Sequence, residues 1–467
     1  MSIVTSLEEK RVLILGLGRE GTSTFAFLRK HFPQKVLGLA DKTPWTELDE
    51  QTRQMIELDG HVTTLLGQDY LSSVNQYDII FKSPGIYPSE LADARQNGKV
   101  ITSNTEVFFE CCQGTVIGIT GTKGKSTTTS LIYKVLQMGG VDAHLTGNIG
   151  IPPLSSLHDT TSTSVFVAEL SSYQLMDLHR SPHLAVVQNV VPEHLDYHGS
   201  FEAYVNAKQT IAQYQNEDDY VIFNASYPIP TRIASVSKAK KIPFGFNPTG
   251  QVGCCIDDSF LTFYSNGCRE RIIPIQANPL KGTFNLQNVM PSIIVGKIFG
   301  ISNEVIANAI QNFQPLEHRL EYVGTYEGVA FYNDSLSTIP EAAISAMQAF
   351  PNGSFILLAG GYDRGLDFTE LARIILTSKV KAVILFPTTG EKLWNTVVQQ
   401  TTEGRELPRH IFVTSMTDAV KQAYSLAEKE DIILLSPASS SFSGFKDYRD
   451  RGNQFKAEVR KFIDQDS

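Results

Sequence analysis

The fold is decided by the stretch Gly118-Ile-Thr-Gly-Thr-Lys-Gly-Lys-Ser-Thr127. The β-branched residues 115–117 before it predict a buried strand, and residues 126–138 after it have helical periodicity. Glycines between a strand and a helix let backbone N–H groups point at a polyphosphate, while Lys125 adds a positive charge and Ser126 can bind Mg²⁺. The spacing differs by one residue from the strict phosphate-loop motif G-x-x-x-x-G-K-[ST], because the first glycine stands at 118 rather than 119. An ordinary turn is the alternative, but this context favours a nucleoside triphosphate site.

Length and composition limit the classes of protein to consider. A chain of 467 residues is too long for one hydrophobic core and indicates about three domains. A formal net charge of −9 without basic runs argues against a nucleic-acid partner, because phosphates require a cationic surface. The five cysteines show no C-x-x-C spacing, and no apolar run reaches about 18 residues. We therefore expect small-molecule ligands, a cytoplasmic location, and neither export nor membrane insertion.

A second glycine-rich turn lies near the N-terminus. The motif G-x-G-x-x-G at 16–21 follows the apolar segment 11–15 and precedes a helical pattern at 22–31. Asp41 stands twenty residues after Gly21, where a dinucleotide-binding fold places the carboxylate that binds ribose. NAD is one candidate ligand, but a dehydrogenase has no use for the phosphate loop described above. We therefore expect another nucleotide in the N-terminal domain.

Polar side chains follow the strands predicted after the phosphate loop. Glu169 ends the apolar segment 164–168, where a carboxylate can hold Mg²⁺ on bound phosphates. The alternative is an ordinary acidic residue at a helix N-terminus. The segment 184–190 leads to His194 and His198, which lack the H-E-x-x-H pattern of a zinc site. Two polar clusters beside one phosphate loop indicate a shared site.

The middle of the chain carries weaker signals. Helical spacing at 201–214 includes Lys208, which alone would be interpreted as a solvated lysine. Four segments between 220 and 276 predict short strands of an added antiparallel patch. Asn285 and Asn288 lie three residues apart on one face of a predicted helix, but most such residues cap or solvate helices.

After a break at 314–315, the last ~150 residues alternate between strands and helices again. Strands are predicted near 329–333, 354–359, 381–385, 411–413 and 431–435. We expect the polar turns beside three of them at the ligand-binding edge of a third sheet. The predicted fold class is α/β with three domains: a Rossmann-like parallel sheet (1–104), a central P-loop ATPase-like α/β domain with a small antiparallel addition (105–315), and a C-terminal Rossmann-like α/β domain (316–467).

Seven short motifs occur in order along nearly the whole chain: T-G-T-K-G-K-S-T, G-N-I-G, E-L-S-S-Y-Q-L, E-H-L-D-Y-H, F-N-L-Q-N, L-E-H-R and Y-N-D-S. Together with G-L-G-R-E-G and S-P-G-I near the N-terminus and L-S-P-A-S-S-S-F near the C-terminus, they resemble the Mur ligase family. Each motif alone is weak, but seven in register are specific. The resemblance implies that the three domains bind a UDP-linked substrate, ATP and an incoming amino acid.

The resemblance also implies a reaction in peptidoglycan precursor synthesis. ATP would phosphorylate the alanine carboxylate of UDP-N-acetylmuramoyl-L-alanine, and the amine of glutamate would attack the acyl phosphate. Two Mg²⁺ ions and a carbamylated Lys208 would assist, because phosphoryl transfer between two anions needs neutralising charge. The implied partners are these small molecules alone, and a monomer is expected. D-glutamate is the expected amino acid, with an L-glutamate-adding ligase as the alternative.

Each implied role falls on matching positions of this sequence. The catalytic candidates are Lys125, Lys208 and His194. The ATP-binding candidates are Gly121, Thr122, Lys123, Gly124, Lys125, Ser126, Thr127, Asn285, Asn288, Arg319 and Asp334. The metal-binding candidates are Ser126, Glu169, His194 and Lys208. The candidates for the UDP-linked substrate are Gly18, Arg19, Asp41, Lys42, Ser83, Gly85 and Asn148. The glutamate candidates are Thr338, Arg364, Ser441 and Tyr448.

Three positions depart from the family pattern. Lys123 stands where the loop usually has Asn, and Glu193 stands where Asp usually precedes the metal-binding histidine. Both substitutions keep or add polarity. Leu336 stands where Lys usually follows N-D-S, so the expected glutamate site lacks one cation.

Three other functions compete with that of a Mur ligase. A folylpoly-glutamate synthetase has related chemistry but is not expected to begin with a UDP-binding domain. An NAD-dependent oxidoreductase is suggested by the N-terminal motif alone. A non-catalytic nucleotide-sensing protein would share the phosphate loop without the reaction.

Overall fold

Three separate β-sheets follow one another along the chain in the computed structural model. The structure describes residues 7–158, 160–350, 352–401, 404, 406–442 and 444–463. The chain divides into two compact units. The first unit comprises Met1–Ala277 and Gln287–Asn312, and the second comprises Asn278–Leu286 and Phe313–Ser467. The predicted α/β class is confirmed, since each sheet is largely parallel and its strands alternate with helices.

The first sheet has five parallel strands in the order β3-β2-β1-β4-β5. They are β1 (Val12–Leu15), β2 (Leu37–Asp41), β3 (Val62–Leu66), β4 (Ile79–Lys82) and β5 (Val100–Thr102). Every residue of β1 and β4 is buried, as expected for central strands of a parallel sheet covered on both faces. This order places β1 between β2 and β4, so the turns at their carboxyl ends are neighbours.

The second sheet has nine strands in the order β14-β13-β12-β11-β10-β9-β6-β8-β7. They are β6 (Thr115–Thr120), β7 (Ala143–Gly147), β8 (Val165–Glu169), β9 (Leu184–Val187), β10 (Tyr220–Asn224), β11 (Lys240–Phe244), β12 (Val252–Asp257), β13 (Phe260–Ser265) and β14 (Cys268–Pro274). Strand β6, which leads into the phosphate loop, lies between β8 and β9.

One prediction for this sheet is wrong. The segment Tyr220–Asn224 was expected in the antiparallel patch, but it pairs in parallel with both β9 and β11. Only β12, β13 and β14 form the antiparallel addition. The sequence does not separate the two cases, because a short apolar segment is compatible with either kind of pairing.

The third sheet has six strands in the order β15-β16-β20-β17-β18-β19. They are β15 (Glu321–Tyr326), β16 (Val329–Asn333), β17 (Phe355–Gly360), β18 (Val380–Phe386), β19 (Arg409–Phe412) and β20 (Ile432–Leu435). The five predicted strands are confirmed as β16 to β20. Strand β15 was not predicted. It is an antiparallel edge strand with no buried residue, so its sequence does not show the alternation of apolar and polar residues that marks a strand.

Helices connect these strands. The α-helices are Arg19–His31, Glu50–Glu57, Ala92–Gln96, Asn104–Cys111, Lys125–Met138, Ser172–Leu175, Leu195–His198, Phe201–Gln213, Pro228–Ser235, Thr283–Ile298, Asn303–Gln311, Pro340–Gln348, Thr369–Thr377, Thr389–Gln400, Met416–Leu426 and Tyr448–Ile463. Short 3₁₀ turns occur at Trp45–Glu47, Val74–Gln76, Pro88–Leu91, Pro153–Leu157 and Ile275–Ala277. Within the described ranges, none of the helices combines the length and the apolar character needed to cross a bilayer.

A buried ion pair joins the first two sheets inside the first unit. Lys82, the last residue of β4, places its Nζ 2.9 Å from Oδ2 of Asp177, and its side chain is almost fully buried. Arg95 contacts the other oxygen of Asp177 at 3.0 Å. Asn104 adds a polar link, because its amide donates to Ser23 and its oxygen accepts from the backbone N–H of Leu154.

We predict that Asp177→Asn destabilises the first unit, because it removes the carboxylate that contacts the buried Lys82 ammonium. The expected loss in the free energy of unfolding is about 3 kcal/mol. It is obtained from the shift of the denaturation midpoint of the first unit. Asp218→Asn is the matched control, since Asp218 is exposed. A midpoint for Asp177→Asn equal to that of the control would contradict this account of Lys82.

Candidate active site

The phosphate loop closes tightly between β6 and helix Lys125–Met138. Gly121 and Gly124 have φ values of 152° and 86°, which side chains other than glycine rarely adopt. A Cβ at Gly124 would lie 2.2 Å from Oδ1 of Asn288, and one at Gly121 would lie 2.7 Å from Cβ of Gln188. The loop therefore requires glycine at both positions, for conformation and for space.

Two predicted catalytic lysines meet at the carbonyl oxygen of Gly121. Lys125 Nζ donates to the carbonyl oxygens of Gly121 and Thr122, each at 3.0 Å. Lys208 Nζ donates to the Gly121 oxygen at 2.9 Å and to Thr120 Oγ1 at 3.4 Å. Lys208 is 1% exposed, so the interpretation of this lysine as a solvated side chain is wrong. Two like charges directed at one oxygen make this part of the loop strongly attractive to an anion.

Burial lowers the pKa of Lys208 well below its ordinary value, and the nearby charge of Lys125 lowers it further. The carboxylates of Glu193 and Glu169 act in the opposite direction without cancelling this effect. Lys208 also lies over the ring of Tyr204, with its Nζ 4.7 Å from the ring centroid. Burial and the charge of Lys125 thus both favour the neutral form of this amine, which is the nucleophilic form.

Glu169 ends β8 beside the phosphate loop. Its Oε1 accepts a hydrogen bond from the Asn148 amide at 2.9 Å, and its backbone oxygen accepts from the Asn148 N–H at 2.9 Å. Its Oε2 is buried and has no hydrogen-bond partner among the described residues. Ser126 lies in the first turn of the helix that follows the loop. Mg²⁺ commonly takes one or two protein carboxylates and completes its coordination with phosphate and water oxygens, so this carboxylate fits such an ion.

His194 lies after β9 in a left-handed conformation, with a φ of 57°. Burial lowers its pKa although the charge of Glu193 opposes the shift, and both active-site lysines lower it further. The imidazole is therefore neutral at pH 7, the form in which it can bind a metal. Its ring also contacts Tyr173, with 5.0 Å between the ring centroids.

The two polar departures from the family pattern form an ion pair. Lys123 Nζ lies 2.9 Å from Oε1 of Glu193. Burial would raise the pKa of Glu193, but the charge and hydrogen bond of Lys123 hold it below its ordinary value. The charge that Lys123 adds to the family pattern is therefore paired with the carboxylate of Glu193, the other residue that departs from the pattern.

A cavity of about 180 Å³ brings these groups together in the first unit. Four predicted residues, from four different segments of the chain, line it. They are Lys125, Asn148, His194 and Lys208. The polar clusters after β8 and β9 were predicted to share a site with the phosphate loop, and these strands flank β6 in the sheet. The loop after β7, the next strand, adds Asn148.

A second cavity, of about 490 Å³, lies at the carboxyl edge of the first sheet. All seven candidates for the UDP-linked substrate line it: Gly18, Arg19, Asp41, Lys42, Ser83, Gly85 and Asn148. The Asp41 carboxylate accepts hydrogen bonds from the N–H groups of Leu17 at 2.5 Å and Thr43 at 2.8 Å, so it also closes the glycine-rich turn. Ser83 Oγ donates to the oxygen of Gly16 at 2.8 Å and connects the turns that follow β1 and β4.

The second unit has its own cavity, of about 270 Å³. Two ATP candidates, Asn285 and Arg319, line it together with Tyr322 and Tyr332, whose ring centroids are 5.5 Å apart. The Nε of Arg319 is buried and has no hydrogen-bond partner among the described residues. Asn288, by contrast, belongs to the first unit, where it lies beside Gly124.

Asp334 joins several loops of the second unit. Its carboxylate accepts from the N–H of Leu320 at 3.1 Å, from Ser436 Oγ at 2.8 Å and from Ser337 Oγ at 2.5 Å. Burial raises its pKa to about 6, although these hydrogen bonds and the charge of Arg319 oppose the shift. Its observed contacts therefore fix the loop after β16 against the loop after β20.

The loops that carry the glutamate candidates follow β16, β17 and β20, which are adjacent in the third sheet. The Tyr362 N–H donates to the oxygen of Ser440 at 2.8 Å and ties two of these loops together. The exposed Arg364 guanidinium lies 5.9 Å from the ring centroid of Phe442, next to the buried Ser441. Thr338 is half-buried on the loop after β16.

Arg451 is a central residue of this region that the sequence interpretation missed. Its buried guanidinium donates to Ser335 Oγ at 3.0 Å, to the Ser335 oxygen at 2.9 Å and to the Ser439 oxygen at 3.1 Å. Ser335 Oγ in turn donates to the backbone oxygen of Tyr448 at 2.7 Å. Burial lowers the pKa of Arg451 to about 9. The segment D-Y-R-D-R-G-N at 447–453 contains two arginines, and nothing in the sequence shows which of them is buried.

Comparisons with known proteins agree with the motifs. The Mur ligase middle domain matches residues 119–296, and the Mur ligase, glutamate ligase domain matches residues 318–439. A UDP-N-acetylmuramoylalanine--D-glutamate ligase of Acetivibrio thermocellus is 34% identical over 455 residues, which cover 96% of each chain. A protein of the same name from Geobacillus kaustophilus is 35% identical over 463 residues, covering 97% of this chain and 98% of its own.

Among solved structures, the MurF ligase of Thermotoga maritima in complex with ADP has a TM-score of 0.61 and is 15% identical. The match covers 100% of this chain and 98% of that one. At this level of identity the likeness shows the fold alone.

We predict a coupling of about 0.5 kcal/mol between Lys123 and Glu193 at pH 7, because the pair is partly exposed. The measurement is a double-mutant cycle of Lys123→Ala and Glu193→Ala followed by chemical denaturation. The pKa of Glu193 is lower in the folded protein than its ordinary value of 4.5. The ionised Glu193 therefore stabilises the fold fully at pH values above 4.5, and this stabilisation is lost as the pH falls through the lower pKa of the folded state. Additive single variants at pH 7 would contradict the pairing.

Proposed function

The chain belongs to the Mur ligase family, and we propose that it joins D-glutamate to UDP-N-acetylmuramoyl-L-alanine with the conversion of ATP to ADP and phosphate. The observation that carries this proposal is its similarity, at 34–35% identity over nearly full length, to ligases named for that reaction. The geometry supports it, because a phosphate loop with two converging lysines lies in the same unit as a cavity lined by all the UDP-substrate candidates. An NAD-dependent oxidoreductase would not need this phosphate loop.

Each of the three predicted domains would bind a different substrate. Residues 1–104 would bind the UDP group, residues 105–315 would bind the phosphates of ATP, and residues 316–467 would bind glutamate. The first, second and third sheets fall inside these three ranges in turn. Asn285 and Arg319, which line the cavity of the second unit, would be among the residues that bind ATP.

The first chemical step is phosphoryl transfer. An oxygen of the alanine carboxylate attacks the γ-phosphorus of ATP, the bond from that phosphorus to the bridging oxygen breaks, and ADP leaves. Lys125 neutralises charge on the transferring group, and the N–H groups of residues 121–127 orient the phosphates. Lys125 also helps to hold the carboxylate and the phosphate in line, because both reactants are anions that would otherwise repel each other.

The second step forms the amide. The neutral amine of glutamate attacks the acyl carbon, phosphate leaves with the carbon–oxygen bond electrons, and the nitrogen loses a proton. Arg364 would pair with a carboxylate of glutamate, and Ser441, Thr338 and Tyr448 would complete its site. Arg451 would position this site through Ser335 and Ser439.

Ser126 and Glu169 would hold one Mg²⁺, and His194 with carbamylated Lys208 would hold a second. The buried, unpartnered oxygen of Glu169 and the neutral His194 fit such ions. Bound Mg²⁺ would neutralise the negative charge that develops on the phosphate oxygens. The enzyme would act as a monomer in the cytoplasm.

The test of this function is the release of phosphate from ATP by the purified protein. We expect release only when UDP-N-acetylmuramoyl-L-alanine and glutamate are both present. Release that requires neither substrate would point to a plain nucleotidase, and release that requires a folate substrate would point to the competing synthetase. Absence of release with all three substrates would contradict the proposal.

An L-glutamate-adding ligase is the second candidate, because Leu336 replaces a cation near the expected glutamate site. Leu336 is half-buried, and its backbone N–H donates to the oxygen of His318 at 3.0 Å. The ratio of kcat/KM for D- and L-glutamate separates the two candidates. A preference for the L isomer would overturn the assignment of the isomer and leave the reaction unchanged.

We predict that Lys125→Ala lowers kcat by about 100-fold or more, because it removes a positive charge from the transferring phosphoryl group. The melting temperature should change little, since Lys125 is half-buried and its hydrogen bonds to Gly121 and Thr122 lie within its own loop. Lys134→Ala on the outer part of the same helix is the control. Retention of a substantial fraction of wild-type kcat by Lys125→Ala would refute the role of this lysine.

We predict that Lys208 is carbamylated in the active enzyme. Its neutral amine would attack CO₂ and lose one proton, giving an anion suited to Mg²⁺. Protein equilibrated with ¹³C-bicarbonate should show a carbamate resonance that is missing from Lys208→Met. Wild-type protein without this resonance, together with full activity of Lys208→Met, would show that the modification is absent.

A further inference from the structure

The two cavities of the first unit share three lining residues: Glu20, Pro84 and Asn148. One cavity contains the candidates for the UDP-linked substrate, and the other contains Lys125 and Lys208. A ligand that has its nucleotide in the first cavity and its reacting carboxylate in the second must pass these three residues. Asn148 is already a site candidate, whereas neither the motifs nor the comparisons assign a role to Glu20.

The position of the Glu20 carboxylate is fixed by its neighbour Gln174. The amide nitrogen of Gln174 donates to Glu20 Oε1 at 2.7 Å. The amide oxygen of Gln174 accepts from the N–H of Ser171 at 2.9 Å and from its Oγ at 3.0 Å. Because an N–H group can only donate, the oxygen of this amide must face Ser171, so the nitrogen must face Glu20. A capping box after β8 thus orients a residue at the start of helix Arg19–His31.

The other carboxylate oxygen of Glu20 differs from Oε1 in its hydrogen bonding. Its Oε2 is buried and has no hydrogen-bond partner among the described residues. Burial raises the pKa of Glu20 to about 7, although the hydrogen bond from Gln174 and the charges of Lys82 and Arg19 oppose the shift. A buried acceptor without a partner is unfavourable, so a ligand that donates a hydrogen bond to Oε2 gains affinity by satisfying it.

We propose that Glu20 contacts the UDP-linked substrate between the two cavities, with Oε2 accepting a hydrogen bond from a hydroxyl or amide N–H of its muramoyl-alanyl part. This inference rests on the proposed function and names a residue that recognises the substrate of the same site. Position and chemistry together select this part of the ligand. The ribose hydroxyls and the uracil N–H can also donate, but they belong to the end placed in the first cavity, and the ionised diphosphate between offers only acceptor oxygens. Glu20 would therefore distinguish the complete substrate from a nucleotide alone.

The test compares the binding of two ligands to the full-length protein by calorimetry: UDP-N-acetylmuramoyl-L-alanine and UDP. The variant is Glu20→Gln, whose amide oxygen can still accept from Gln174 while its nitrogen replaces the acceptor Oε2 with a donor. We expect the Kd for the complete substrate to rise roughly ten-fold or more, as for a lost hydrogen bond to a charged group, and the Kd for UDP to stay within about two-fold. Glu57→Gln, at an exposed position, is the matched control.

Steady-state kinetics give an independent measurement. The KM for UDP-N-acetylmuramoyl-L-alanine should rise in Glu20→Gln and in Glu20→Ala, and the KM for ATP should not change. An equal loss of affinity for UDP and for the complete substrate would show that Glu20 only supports the fold, and an unchanged Kd for both would show no contact. If wild-type protein binds UDP but not the complete substrate, the proposed function itself is overturned, together with the inference that depends on it.

Discussion

The buried Lys208 and the half-buried Lys125 share one carbonyl oxygen in the phosphate loop, and the candidate active site is organised around this constraint. Lys125 and Lys208 both donate to Gly121, at 3.0 and 2.9 Å. Like charges in a buried space are costly unless an anion or the loss of a proton compensates for them. The lowered pKa of Lys208 is one response to this cost, and the nearby carboxylates of Glu169 and Glu193 are another. A polyphosphate would supply the remaining negative charge.

Sheet topology explains why residues so distant in sequence meet. Strands β7, β8, β6 and β9 are consecutive in the second sheet, so the segments that follow them end at one edge. Those segments supply Asn148, Glu169, the phosphate loop and His194. The same rule applies to β2, β1 and β4 in the first sheet and to β16, β20 and β17 in the third. The three groups of site candidates thus lie at similar edges of three sheets.

Much of this arrangement could be predicted from the sequence, because turns at the ends of parallel strands are visible as glycine-rich and polar segments. The strand and helix on either side of residues 121–124, the α/β class and the strands β16 to β20 were predicted and are confirmed. The parallel pairing of Tyr220–Asn224 and the edge strand β15 were not, since pairing partners and half-exposed edges leave little local pattern. Contacts such as Glu20 with Gln174, 154 residues apart, depend on the fold and could not be read from either segment.

The central claim is that an oxygen of the substrate carboxylate attacks ATP directly. The measurement that tests it uses UDP-N-acetylmuramoyl-L-alanine labelled with ¹⁸O in both oxygens of the alanine carboxylate. If the acid is activated as an acyl phosphate, one labelled oxygen per turnover must appear in inorganic phosphate, and the amide product must keep the other. Phosphate free of ¹⁸O, formed together with the amide product, would contradict the account, because the phosphate loop and its two lysines would then not be promoting attack by the carboxylate.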